Sequence, residues 1–141
     1  MPNEPAAPTP TLRSFIRQSP DDGSYFLAGS RCENCGAVYA GERAVCASCC
    51  ARDAMTSIRL AETGTLYAYT IVHRSFPGVK TPFVDVIVDL DGGGHLKGTL
   101  EGVPADPAAL RFDMRVRLAF RKAVPLGGLN CPHLTYMFVP A

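Results

Sequence analysis

Apolar and polar residues alternate along five segments in the second half of the chain, and this alternation predicts β-strands. The clearest segment is Phe83–Leu90, where the valines face one side while Asp85 and Asp89 face the other. The five segments cover residues 65–73, 83–90, 96–101, 114–121 and 134–138. The first of them is apolar on both faces, as expected of a strand that curls into a barrel.

Short connections limit how these strands can be arranged. A parallel pair needs a crossover of a dozen or more residues, and most of the gaps here are shorter. A single helical turn is predicted over 106–110, between the third and fourth strands. Five strands with one short helix in this place have the order of a partly open OB-fold barrel.

The N-terminal part of the chain has a different composition. Residues 1–10 hold four prolines, which predicts a flexible, extended tail. Thr11 can cap a short helix that ends at Pro20. Three apolar residues share one face of this predicted helix: Leu12, Phe15 and Ile16. A short strand at 25–27 then leads into the cysteines.

Composition narrows the functional classes. The 141 residues suffice for one domain or two very small ones, and the net charge is only +1. Balanced charge argues against a general binder of nucleic acids, which needs an excess of cations. The 47% hydrophobic and 19% charged content excludes wholesale disorder and indicates that a partner covers part of the apolar surface. No apolar run is long enough to span a membrane and no secretory signal is visible, so we expect a cytoplasmic protein.

Four of the six cysteines form two C-x-x-C pairs, Cys32/Cys35 and Cys46/Cys49, separated by ten residues. Four thiolates at this spacing are typical of a closed, tetrahedral zinc site that holds a small lobe together. Iron remains an alternative because the same ligands bind it. Gly36 follows the first pair, at a position where a positive φ is often needed, and Cys50 takes the equivalent position after the second pair. Cys50 is therefore interpreted as a bystander, although a Cys46/Cys50 register remains open.

These features predict a mainly β chain in four parts. They are a flexible tail over 1–10, a helix and lead-in strand over 11–30, a rubredoxin-like Cys₄ zinc ribbon over 31–56, and a five-stranded OB-fold domain over 57–141.

No constellation in the sequence predicts catalysis. The residues weighed were His73, His95, Cys131 with His133, and Asp85 with Asp89. The glycines before His95 lack the frame of a phosphate-binding loop. Cys131 and His133 are separated by a proline and are interpreted as a loop that anchors the last strand. We therefore predict no catalytic residue in this chain.

A cationic stripe and two aromatic residues could instead contact nucleic acid. Arg115, Arg117 and Arg121 lie on one face of a predicted strand. The simpler interpretation pairs them with carboxylates across the sheet, at Asp85, Asp89 or Glu101. Tyr67 and Tyr69 could stack on bases, but no cluster of cations frames them.

The order of motifs resembles the DUF35 family of zinc-ribbon and OB-fold proteins. The resemblance covers about residues 12–140. It rests on four segments. Residues 31–36 contain the first cysteine pair, and residues 46–49 contain the second. The other two segments are 64–73, which reads GTLYAYTIVH, and 81–84. The chain departs from the family at Cys50, where glycine is usual, and in a longer loop over 123–133 that contains Cys131.

The resemblance implies a non-catalytic accessory subunit of an enzyme that acts on acyl-CoA. The expected partner is a thiolase-fold, SCP2-thiolase-like protein that carries out thiolytic or retro-aldol C–C cleavage in a degradation pathway, with a MaoC-like hydratase as a further partner. This chain would dock on it as a hetero-oligomer and help to shape its coenzyme A or acyl channel. The predicted docking surface is the N-terminal helix face with loop 123–133. Two alternatives stay open: a single-stranded nucleic-acid binder, and a stand-alone acyl-CoA binder or thioesterase.

Overall fold

The structure, a computed structural model, describes residues 13–123 and 133–141, and within these ranges the chain forms nine strands. The first four are β1 (Ile16–Gln18), β2 (Tyr25–Cys32), β3 (Val38–Ala40) and β4 (Met55–Arg59). The other five are β5 (Thr63–Val72), β6 (Phe83–Leu90), β7 (His95–Leu100), β8 (Arg115–Ala123) and β9 (His133–Pro140). No helix in the described residues has the length and apolar character needed to cross a bilayer.

The first four strands form one antiparallel sheet around β2. The N-terminal part of β2 pairs with β1, and its C-terminal part pairs with β3 on one side and β4 on the other. Gly29 lies at the centre of this arrangement, between Ala40 of β3 and Ile58 of β4. A Cβ there would lie 2.6 Å from the Tyr39 carbonyl oxygen, so only glycine allows β3 to approach this closely.

The helix predicted near the N-terminus is wrong for its described residues. Ile16 begins β1 and pairs with Leu27, while the Phe15 carbonyl accepts a hydrogen bond from Ala28 N–H at 2.7 Å. A single turn, from Ile16 N–H to the Arg13 carbonyl, is all that the local spacing produces. Pairing with β2 buries Ile16 to 4% exposure, and this tertiary contact outweighs a helical pattern only two turns long. Leu12 lies outside the described residues.

The last five strands form a closed barrel in the order β5-β6-β7-β9-β8. All neighbours are antiparallel except β7 and β9, which close the barrel through a parallel pairing of Leu100 with Phe138. The five predicted strands and their succession along the chain are confirmed, and the barrel that was predicted to be partly open is closed. The predicted helical turn is also present, as a 3₁₀ turn over Pro107–Ala109 that Asp106 caps by accepting from Ala108 N–H at 2.9 Å.

The two sheets share one hydrophobic core. Side chains of the barrel interior, such as Leu66, Val88 and Phe138, belong to the same buried cluster as Ile16, Leu27 and Leu60 of the N-terminal region. The sequence pattern fits this arrangement, because the alternating valines of β6 all face inward.

The β6–β7 turn touches the N-terminal sheet as well. Gly93 and Gly94 have φ values of 109° and 89° and lie against Val38 of β3. A Cβ at Gly93 would lie 3.0 Å from a Val38 methyl carbon. Glycine is therefore required here both for the backbone conformation and for the close approach.

Candidate metal centre

The structure brings together the four cysteines of the two C-x-x-C pairs. Their sulfur atoms, from Cys32, Cys35, Cys46 and Cys49, all lie within 4.8 Å of one another. The Cys32 and Cys49 sulfurs are 3.7 Å apart, and the Cys35 and Cys46 sulfurs are 3.5 Å apart. Cys32 is the last residue of β2, so the central strand of the sheet delivers the first ligand directly into the cluster.

Each pair forms a tight turn that aims two sulfurs at one point. In the first, Gly36 N–H donates to the Cys32 carbonyl at 2.8 Å with φ of 80° at Gly36. In the second, Cys50 N–H donates to the Cys46 carbonyl at 3.0 Å with φ of 60° at Cys50. Cys50 therefore occupies the left-handed position that glycine occupies in the first turn, and its exposed side chain is not among the four clustered thiols.

The sulfur positions fit a four-coordinate metal ion. Zn–S bonds of about 2.3 Å in a tetrahedron place the sulfurs roughly 3.8 Å apart, close to the separations seen here. The donor set is four soft thiolates, which suits zinc or iron and leaves no open coordination position. The cluster can therefore hold a metal ion in a structural role.

Polar groups around the cluster hydrogen-bond to the sulfurs of the second pair. Tyr39 Oη lies 3.4 Å from Cys46 Sγ, and Asn34 Nδ2 donates to Cys49 Sγ at 3.4 Å. In the metal-free protein the Tyr39 hydroxyl, together with backbone N–H groups, lowers the pKa of the Cys46 thiol to about 6. The Asn34 amide is the main cause of a lowered pKa at Cys49.

Cys35 differs from its neighbours in the metal-free cluster. The Ala37 backbone N–H favours its thiolate, but hydrogen bonding with the Cys46 sulfur and partial loss of hydration outweigh this. As a result the pKa of the Cys35 thiol rises to about 11.

Sequence reasoning found the four cysteines but missed Tyr39, Asn34 and Arg43. Asn34 lies inside the first C-x-x-C pair, so its position was a usable signal. Tyr39 reaches Cys46 only because β3 folds back along β2, and the Arg43 guanidinium lies 4.4 Å from the centre of the Tyr39 ring. No local sequence motif predicts the contact of Tyr39 with Cys46 or that of Arg43 with Tyr39.

The two aspartates considered as candidates for catalysis have polar partners on the barrel surface. Asp85 binds Lys97 at 2.9 Å, and Asp89 hydrogen-bonds His95 Nδ1. His73 is exposed, just beyond the end of β5. Cys131 lies outside the described residues, and the neighbouring His133 is buried at the start of β9.

Two arginines of the cationic stripe are neutralised by carboxylates. Arg121 binds Glu101 at 2.5 Å, and Arg115 binds Asp91 through two hydrogen bonds of 2.9 and 2.6 Å. The pairing of Arg121 with Glu101 is one that the sequence predicted, whereas the partner of Arg115 is Asp91 in the β6–β7 turn. Arg117 is exposed on the same strand.

The two tyrosines of β5 take different positions. A β-bulge between Leu66 and Ala68 turns Tyr67 outward, where it is 60% exposed with its ring 6.2 Å from His95. Tyr69 is half-buried and packs on Phe112 at 5.4 Å. They do not form one stacking platform.

A groove of about 820 Å³ opens between the β5–β6 loop and the end of β8. Val84 and Leu100 form an apolar floor, and Lys80 and Lys122 lie along its edge. The Arg121–Glu101 ion pair also lines the groove, so its wall carries charges of both signs beside the apolar floor.

Known proteins resemble the chain over most of its length. A DUF35 domain-containing scaffold protein of Methanocaldococcus jannaschii is 31% identical over 119 residues, which cover 82% of each chain. The benzoylsuccinyl-CoA thiolase subunit BbsA of Thauera aromatica is 28% identical over 135 residues, covering 89% of this chain and 91% of that protein.

A solved structure and a family model are also similar to this chain. The solved Ltp2-ChsH2(DUF35) aldolase contains a chain with 26% identity and a TM-score of 0.62, with 82% of this chain and 84% of that chain covered. The family model of the ChsH2 C-terminal OB-fold domain matches residues 57–121, the region from β4 into β8. Sequence identity over four fifths of both chains, together with the closed barrel and the cysteine cluster, places this chain in the DUF35 family.

Proposed function

We propose that this chain is a zinc-binding accessory subunit of a thiolase-type enzyme that cleaves a C–C bond of an acyl-CoA. The observation that carries the proposal is the likeness over 82% of the chain to a component of the Ltp2-ChsH2(DUF35) aldolase. The similarity to a benzoylsuccinyl-CoA thiolase subunit supports it from sequence. In this assignment the partner is a thiolase-fold protein that supplies the catalytic groups, and the two work together in the cytoplasm.

The proposed zinc ribbon covers residues 31–56 and the proposed OB-fold domain covers 57–141. Zinc bound by Cys32, Cys35, Cys46 and Cys49 would stabilise a lobe whose own apolar core is small. Such a site has no open position and does no hydrolysis. The coenzyme A thioester would lie at the interface with the partner, where this chain helps to shape the channel.

The structure changes one part of the predicted docking surface, whereas Leu12 and residues 124–132 of the predicted loop lie outside the described residues. Ile16 is 4% exposed in the core and is not available to a partner, and Phe15 is half-buried with its ring centroid 6.0 Å from that of Tyr136. Large apolar side chains are exposed elsewhere, with Phe76 at 83% and Phe112 at 66%. We therefore assign partner contacts to these two residues.

Co-purification tests the assignment. The tagged chain is isolated from its native host, bound proteins are identified by mass spectrometry, and acyl-CoA cleavage is assayed with each component alone and with both. We expect a thiolase-fold protein to co-elute and cleavage to require the mixture. Phe76→Ser and Phe112→Ser should weaken co-elution, while Arg17→Ser, an exposed position on β1, serves as the control. Cleavage of an acyl-CoA by the isolated chain would contradict the proposal.

Metal analysis tests the site independently of the partner. We expect one zinc per chain in the purified protein, loss of that zinc in Cys32→Ser, and its retention in the matched control Cys50→Ser. Iron in place of zinc would overturn the metal assignment. A salt-sensitive shift of single-stranded oligonucleotides would favour the nucleic-acid alternative instead.

A further inference from the structure

The four cysteines of the cluster differ in their exposure to solvent. Cys32 and Cys46 are buried, at 0% and 1% exposure. Cys49 is half-buried, and Cys35 is exposed. A reagent approaching from solvent can therefore reach Cys35 and, less easily, Cys49.

Hydrogen bonds distinguish the sulfurs further, and the proton of the Tyr39 hydroxyl can be placed. Ser48 N–H donates to Tyr39 Oη at 3.1 Å, so this oxygen is already an acceptor. Its own proton is then free to point to Cys46 Sγ, 3.4 Å away. Cys46 is thus protected twice, by burial and by a side-chain donor.

The two accessible cysteines, Cys35 and Cys49, differ in the side-chain hydrogen-bond donors that their sulfurs receive. Cys49 accepts a hydrogen bond from the Asn34 amide at 3.4 Å. Among the described residues, Cys35 has no side-chain donor other than its cysteine neighbours. In the metal-bound form all four sulfurs are thiolates. A hydrogen bond withdraws charge from a thiolate, so Cys35 retains the most nucleophilic accessible sulfur.

We propose that Cys35 is a modification site for soft electrophiles such as Michael acceptors, and that its modification releases the metal. The inference rests on the proposed zinc site. The Cys35 thiolate forms an S–C bond with the β-carbon of the acceptor, and the resulting enolate takes a proton from water, leaving hydroxide. The product is a neutral thioether, a weaker zinc ligand, so the ion is held by three thiolates and dissociates more readily.

Limited alkylation tests the proposal in the full-length, zinc-loaded chain. Cys50→Ser and Cys131→Ser remove the two cysteines outside the cluster, and zinc content is measured first. N-ethylmaleimide is then added below one equivalent while a chelating dye reports released zinc. Trypsin cuts after Arg31, Arg43 and Arg52, so the two cysteine pairs fall on separate peptides, 32–43 and 44–52. Fragment spectra then locate each adduct.

We expect the first adduct at Cys35 and zinc release in step with it. A zinc-loaded chain whose first adduct is at Cys49 overturns the inference but leaves the zinc site intact. A chain that binds no zinc overturns the zinc site and the inference together.

The hydrogen bond from Asn34 supplies a second test. Asn34→Ala removes the donor to Cys49, whereas Ser48→Ala is a matched control because only the Ser48 backbone donates to the cluster. We expect Asn34→Ala to weaken zinc affinity about tenfold and to raise the share of adducts at Cys49. Equal adduct patterns and affinities in the two variants would overturn the argument from hydrogen bonding.

Discussion

The barrel interior offers a sharp test of packing at Gly98, in the middle of β7. A Cβ placed there would lie 3.0 Å from two ring carbons of Phe138 and 3.2 Å from one of Tyr136. Ordinary contacts between carbon atoms are about 3.5–4.0 Å, so the ring has to move by roughly half an ångström. Phe138 cannot move easily, because it is fully buried and its backbone pairs with both β7 and β8.

The magnitude for Gly98→Ala follows from two opposing effects. Overpacking of a fixed core costs about 1–3 kcal/mol. Replacing glycine by alanine restricts the unfolded chain, and this returns about 0.4–1 kcal/mol because the φ of Gly98 lies outside the left-handed region. We therefore expect a net loss of about 1–2 kcal/mol in the free energy of unfolding.

A double-mutant cycle isolates the proposed clash. Phe138→Leu alone should destabilise by about 1–2 kcal/mol through a cavity. That cavity admits the alanine methyl group, so the two changes together should cost at least about 1 kcal/mol less than their sum. Phe120→Leu provides the control cycle, since Phe120 is not among the nearest neighbours of a Cβ at Gly98 and its combination with Gly98→Ala should be additive.

Urea unfolding of the zinc-loaded protein, followed by far-ultraviolet circular dichroism, measures these differences. With a slope of about 1–3 kcal/mol per molar, a loss of 1.5 kcal/mol lowers the midpoint by roughly 0.5–1.5 M. Additive costs for Gly98→Ala and Phe138→Leu would refute the claim that ring and glycine are packed against each other.

Three further changes test other parts of the fold. Ile16→Ala should lower the stability of the isolated chain by about 2–5 kcal/mol in urea unfolding, and an unchanged midpoint would restore Ile16 as a surface residue. Gly29→Ala should displace β3 from β2 and raise the dissociation constant of zinc in a chelator competition, and an unchanged constant would contradict that close approach. The Asp91 carboxylate accepts from Arg115 and Thr63, which holds its pKa below the usual 3.8 in the folded state. The urea midpoint of the wild-type protein should therefore exceed that of Asp91→Asn at pH 7, and the difference should shrink as the pH falls below 4, whereas a constant difference would exclude this linkage.

Features that depend on local sequence could be predicted well. Strand β6 has its predicted bounds because alternating valines and aspartates separate the buried face from the exposed one. The cysteine cluster was also accessible to prediction, because each C-x-x-C pair forms its own turn and Gly36 marks the first of them.

Features that depend on distant partners could not be predicted. The spacing of Phe15 and Ile16 suits a helix, and only the presence of Leu27 across the sheet makes it a strand. The bulge that turns Tyr67 outward depends on its register against β6. The contact of Tyr39 with Cys46 likewise requires β3 to return along β2, which no spacing along the chain specifies.

Packed contacts join the sheet that carries Cys32 to the barrel, so a metal held by the cysteines would constrain both. Leu27 and Leu60 belong to the barrel's own core cluster, and the glycine turn at Gly93 lies against Val38. A metal that fixes the end of β2 at Cys32 therefore also fixes the strand that carries Leu27 into this core. Closely packed interiors transmit displacement because they have little free volume. A metal bound there would act as part of a rigid scaffold, and the proposed accessory subunit would need that rigidity in order to present a fixed surface to its partner.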